Sequence, residues 1–290
     1  MDGHVSRKRK WPALWGGAEK DTDVVSRLAL RQCGSRRWLT RKRDRGNAAP
    51  LRYDGAMSGA QPIVPGSQVP AQFPREPLEF GLPGPAGRLE LATACAKPGE
   101  ARAGTAIICH PHPQHGGSLR NKVVTMLERS LRESGLDTVR FNFRGVGESE
   151  GAYDEGDGES GDLVAVAQWV RRVRPQDALW LAGFSFGAYV ALRSARSLAA
   201  DVLITVAPPV GRWDFAGVAM PECPWLIVQG EDDEIVEPQA VFDWVETLAP
   251  QPTLVRMPET GHFFHRRLMD LRGAVKNAVR CWLPVLRTTA

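Results

Sequence analysis

A chain of 290 residues with 43% hydrophobic and 24% charged residues holds enough apolar material for one large or two small cores. Its formal net charge of +4 is uneven: residues 1–56 carry 14 Lys and Arg against 6 Asp and Glu, and the remainder 23 against 27. The mildly acidic body argues against nucleic-acid binding, which needs clustered cations, and no uncharged apolar run reaches the ~18 residues that span a bilayer.

The basic block lies in residues 1–75, which lack apolar periodicity in "SRKRKWPALWGG" and become Pro- and Gly-rich in "GAQPIVPGSQVPAQFPREP". This composition predicts a disordered extension, or sequence partly upstream of a true start at Met57. No apolar segment follows the basic residues as a secretory signal requires. Cys33, Cys95, Cys109, Cys223 and Cys281 are scattered without a C-x-x-C pair, which suits a reduced, cytoplasmic setting.

Residues 76–290 read as a folded domain with regular apolar patterning. "LEFGLPGPAGRLELATAC" predicts a hairpin turning at "GPAG". "TAIIC" is a buried strand, and "NKVVTMLERSLRESG" a helix with Val124, Leu127 and Leu131 on one face and Gly135 as its stop. Strand "DTVRFNF", helix "DLVAVAQWVRRV", strand "ALWLAGF", helix "GAYVALRSARSL" and strand "VLITVA" follow. Strand "PWLIVQ", helix "PQAVFDWVETL", strand "PTLVRM" and helix "RRLMDLRGAVKNAVRCWL" complete the chain. Such alternation predicts an α/β fold, a mostly parallel sheet sandwiched by helices, with its chemistry at the carboxyl ends of the strands.

Gly183-Phe184-Ser185-Phe186-Gly187 fits G-x-S-x-G between a predicted strand and helix, the context that makes Ser185 a nucleophile. A serine hydroxyl needs a base, and a histidine held by a carboxylate is the usual one. Only His262 and His265 lie downstream of Ser185. His262, in the loop after "PTLVRM", is the expected base; His265 is expected to begin the last helix. The acid is expected within "GEDDEIV", where Asp233 is favoured over Asp232 by its register before the apolar "EIV".

Two motifs invite other readings. "RGVGESEG" contains G-x-G, but the acids from Glu148 to Asp162 would repel a phosphate, so no nucleotide is expected. His110, His112 and His115 in "CHPHPQHGGS" suggest a metal, yet Pro111 and Pro113 stiffen the loop and no regular face gathers the rings. Neither metal nor cofactor is expected. A better account is an oxyanion hole made of two backbone N–H groups. One belongs to Phe186, after the nucleophile, and the other to the loop after an early strand. Of residues 111 to 113 only His112 has an N–H to donate.

With these motifs in order, "CHPHPQHGGS", "RFNFRGVGESEG", "LAGFSFGA", "APPV", "GEDDEIV" and "GHFFH", the chain from about residue 76 resembles the α/β-hydrolase superfamily, and most closely its small lidless bacterial members. The resemblance implies Ser185, Asp233 and His262 as a triad and supports the His112 position. The stretch "APPVGRWDFAGVAMPEC" is too short for a helical cap, so an open cleft edged by Trp213 and Phe215 is expected. The expected activity is hydrolysis of a small acyl substrate, a short-chain carboxylic ester, with a thioesterase, a peptidase or aminopeptidase, or a non-catalytic interaction protein as alternatives.

Overall fold

The computed structural model describes residues 69–287; the expectations for residues 1–68, including a start at Met57, lie outside the described residues. The hairpin forms as predicted, from β1 (Leu78–Gly84) and β2 (Gly87–Ala94). Next come β3 (Gly104–Cys109), β4 (Asp137–Phe141), β5 (Ala178–Phe184), β6 (Val202–Val206), β7 (Trp225–Gly230) and β8 (Thr253–Met257). They form one sheet in the order β1-β2-β4-β3-β5-β6-β7-β8. β2 runs antiparallel to β1 and β4, and all pairs from β4 to β8 are parallel.

Helices cover both faces: α1 (Lys122–Arg132), α2 (Asp157–Val173), α3 (Phe186–Ala195), α4 (Pro238–Glu246) and α5 (Leu268–Ala278). Strand alternation sends successive residues to opposite layers. Ile107, Leu181, Leu203 and Ile227 join one core with α2, α3 and α4. Ile108, Ala182, Ile204 and Val228 join the other with α1 and α5. Burial on both faces is why β3, β6 and β7 read as unbroken apolar runs rather than alternating ones. The chain ahead of β1 packs too. Phe73 is buried beside Trp169, whose indole N–H donates to the Pro70 carbonyl.

Several boundaries differ from the sequence reading. Helix α2 begins at Asp157, not at Asp162. Gly156 turns the chain at φ 102, and the Glu159 carboxylate accepts from the N–H groups of Asp154 and Gly156. That cap satisfies donors which an acidic, Gly-rich stretch does not advertise. The last helix is shorter than predicted, because Arg266 adopts φ 61 and residues 280–282 form a separate tight turn. His265 therefore lies in the turn before α5 instead of opening it. No helix of the described residues is long and apolar enough to cross a membrane.

The acids after β4 are largely committed to local partners. The fully buried Asp162 carboxylate binds the Arg144 guanidinium in fork geometry and also accepts the Arg144 N–H. Asp157 pairs with Arg193, Glu148 with Arg88, and Glu150 accepts the Arg88 N–H. The Arg144–Asp162 pair thus pins the loop after β4 to α2. Removing one partner of a buried pair strands the other charge. Asp162→Ala is expected to lower unfolding free energy by about 3 kcal/mol in urea titration. A change under about 0.5 kcal/mol would show that the pair does not hold this loop.

Candidate active site

Ser185 sits in the turn between β5 and α3, at the carboxyl edge of the sheet, with φ 54 and ψ −121. Positive φ is costly for a residue with a side chain and persists only when its surroundings over-determine it. Here the Ser185 N–H donates to the Val206 carbonyl at 2.8 Å, tying the turn to the end of β6. The flanking glycines are required by close backbone approach. A Cβ on Gly183 would lie 2.1 Å from the Gly187 carbonyl oxygen. One on Gly187 would lie 2.5 Å from the carbonyl oxygens of both Cys109 and His110, so the start of α3 rests directly on the end of β3.

The structure brings the three predicted side chains together. Ser185 Oγ lies 3.0 Å from His262 Nε2. His262 Nδ1 lies 2.9 Å from Asp233 Oδ2 and 3.1 Å from Oδ1. A carboxylate only accepts, so Nδ1 carries the ring proton of the neutral imidazole and Nε2 is left to accept from the serine hydroxyl. All three residues are buried, at 9%, 3% and 7% exposure for Ser185, His262 and Asp233. Asp232 is exposed, and only its N–H reaches toward the histidine loop, donating to the Thr260 carbonyl.

Asp233 receives more than the histidine. Its Oδ1 accepts the N–H groups of Ile235 at 2.9 Å and Val236 at 2.7 Å. Its Oδ2 accepts from Gln229 Nε2 at 2.9 Å. Burial by itself would raise the carboxyl pKa. The His262 hydrogen bond and charge, with the two backbone donors, outweigh burial and hold it below the usual carboxylate range. The His262 N–H donates to Glu234 Oε2 at 3.0 Å, and its ring packs on Phe184 at a centroid distance of 5.0 Å. Glu234, one of the acids of "GEDDEIV", holds the histidine loop instead of the imidazole, and Gln229 escaped the sequence reading. The available signal was a buried polar residue ending the apolar run "WLIVQ", directly before the acidic cluster.

The loop after β3 lies against the start of α3. Neither the His112 N–H nor the Phe186 N–H donates to another described residue. The His112 ring lies 5.3 Å from Phe186, 4.8 Å from Tyr153, 5.8 Å from Trp213 and 4.3 Å from His115. Trp213 is partly buried beside these rings, whereas Phe215 is not at the cleft edge as expected. It is buried against Tyr189 and Trp244. The β6–β7 connection, residues 207–224, contains no helix. Among the described residues, no group of three or more His, Cys, Asp or Glu could hold a metal ion.

Known proteins share this arrangement of chain. An alpha/beta hydrolase domain family matches residues 107–279. An uncharacterized protein of Rickettsia prowazekii is 33% identical over 204 residues, which are 67% of this chain and 85% of the relative. The crystal structure of a lidless α/β serine hydrolase from Xanthomonas campestris superposes with a TM-score of 0.72 at 58% identity, covering 74% of this chain and 99% of that one. An α/β serine hydrolase homologue from Coxiella burnetii gives 0.68 at 47% identity, covering 71% and 98%. By sequence and by fold, this chain belongs to the alpha/beta hydrolase domain family, as a small member of the superfamily with no helical cap between β6 and β7.

Proposed function

We propose that the protein is a serine hydrolase that cleaves short-chain carboxylic esters through an acyl-enzyme. The observation that carries this reading is the continuous relay from Ser185 Oγ to His262 at 3.0 Å and on to Asp233 at 2.9 Å. In this reading Ser185 attacks the ester carbonyl while His262 Nε2 takes its proton. Asp233 keeps the imidazole in the required tautomer and stabilises the imidazolium. The N–H groups of His112 and Phe186 donate to the developing oxyanion. His262 then returns the proton to the leaving alcohol. Water, activated by the same histidine, releases the acid.

Substrate size follows from the connection between β6 and β7. With no helix over residues 207–224, little protein is available to bury a long acyl chain. The rings of Tyr153, His112 and Trp213 offer a short apolar wall beside Phe186. A peptide-amine site finds less support. Of the acids from Glu148 to Asp162, Glu148, Glu150, Asp157 and Asp162 are already engaged with arginines or backbone N–H groups.

A p-nitrophenyl ester series tests the reading. Acetate and butyrate are expected to turn over with higher kcat/KM than decanoate, and Ser185→Ala is expected to lose about a million-fold in kcat. Equal turnover by wild type and Ser185→Ala would exclude Ser185 as nucleophile, and a preference for decanoate would exclude the short-chain assignment. Asp233→Asn is expected to cost at least about a hundred-fold in kcat, and Asp232→Asn less than about threefold. The opposite order would move the acid to Asp232.

A further inference from the structure

His110 takes no part in the relay, yet it is fully buried and both of its ring nitrogens are occupied. Nδ1 lies 2.6 Å from the carbonyl oxygen of Pro111, and Nε2 lies 3.0 Å from the backbone N–H of Phe143. These partners dictate the tautomer. A backbone N–H only donates, so Nε2 holds a lone pair, and a carbonyl only accepts, so Nδ1 holds the proton. The ring also packs on Phe143 at a centroid distance of 4.6 Å. Burial lowers the His110 pKa to about 4, with the Pro111 bond opposing it, so the ring is neutral near pH 7 and keeps both roles.

The Pro111 carbonyl and the His112 N–H belong to one peptide unit. That unit is planar and trans, so the two groups point in opposite directions. Whatever holds the carbonyl therefore aims the N–H. The following peptide is held as well, because the His112 carbonyl accepts from the N–H groups of His115 at 3.1 Å and Gly117 at 3.0 Å. The return at Gly117 is close: a Cβ there would lie 2.1 Å from the Pro111 oxygen. If the first peptide rotated by half a turn, its carbonyl would replace its N–H on the opposite side. A repulsive oxygen would then stand where a donor is needed.

We propose that His110 is a positioning residue that locks the Pro111–His112 peptide so that the His112 N–H faces the oxyanion. The ring does so by donating from Nδ1 to the Pro111 carbonyl while Nε2 is anchored by the Phe143 N–H just beyond β4. This rests on the hydrolase reading above for the use of the His112 N–H, but not for the geometry of the clamp.

The test compares His110→Phe, which fills the space without a donor, with His110→Asn, whose side-chain amide can donate to the Pro111 oxygen. His110→Phe is expected to lower kcat on p-nitrophenyl acetate by about a hundred-fold, near the loss of one oxyanion donor. Its affinity for a trifluoromethyl ketone, which forms a tetrahedral oxyanion on the serine, should fall by a similar factor. His110→Asn should recover at least about tenfold of both. A hundred-fold kcat loss without loss of ketone affinity, or equal defects in both variants, would reduce His110 to a packing role. Wild-type-like kcat in His110→Phe would overturn the proposal outright. The wild-type protein supplies an independent readout, the 15N spectrum of its histidines. His110 is expected with its proton on Nδ1 near pH 7, and a proton on Nε2 would overturn the clamp even if both variants fail to fold. If the wild type cleaves no ester, the hydrolase reading fails, while the tautomer still decides the clamp.

Discussion

The left-handed turn at Ser185 depends on backbone meeting backbone with no Cβ between. Gly187 lies against the carbonyls of Cys109 and His110, and Gly183 against the carbonyl of Gly187 itself. These contacts put the end of β5, the first turn of α3 and the loop after β3 within reach of one another. A methyl group at either glycine would push apart elements that are already at contact distance. The turn that carries Ser185 sits against the end of β3 because of that packing. The strain at Ser185 is borne by a sheet buried on both faces, which leaves the turn little freedom to relax.

Around this turn, three histidines are set apart by their partners rather than by their chemistry. His262 has a buried carboxylate on one nitrogen and a serine hydroxyl on the other, an arrangement that stabilises a transient imidazolium. His110 has a carbonyl on one nitrogen and an N–H on the other, an arrangement that favours a permanently neutral ring. His112 is partly buried, and its Nδ1 accepts the Gln114 N–H as a local cap, so its side chain holds the loop. The carboxylate of Asp233 is prepared in the same way. Two backbone donors and Gln229 hold it in place before His262 is counted.

Much of this was legible in the residues. Apolar runs bounded by turn residues located the parallel strands, because buried parallel strands have little room for polar side chains, and the "GPAG" turn located the β1–β2 hairpin. The G-x-S-x-G stretch located Ser185, because the spacing of its glycines follows from the close approaches just described. The start of α2 was not legible: it depends on Glu159 folding back onto the N–H groups of Asp154 and Gly156, a cap hidden within an acidic stretch. Nor was the burial of Phe215, which packs on Tyr189 and Trp244 from two separate helices. The partners that Gln229 and His110 hold were not legible for a related reason. Each acts on a neighbour only one to four residues away, and its direction is set by strands distant in sequence.

The central claim is that Ser185, activated by His262, is the nucleophile. Reaction with a fluorophosphonate, followed by proteolysis and mass spectrometry, tests it most directly. The account predicts a covalent adduct on Ser185, formed in the wild type and much more slowly in His262→Ala. An adduct on another residue, or labelling of Ser185 that is indifferent to the loss of His262, would contradict it.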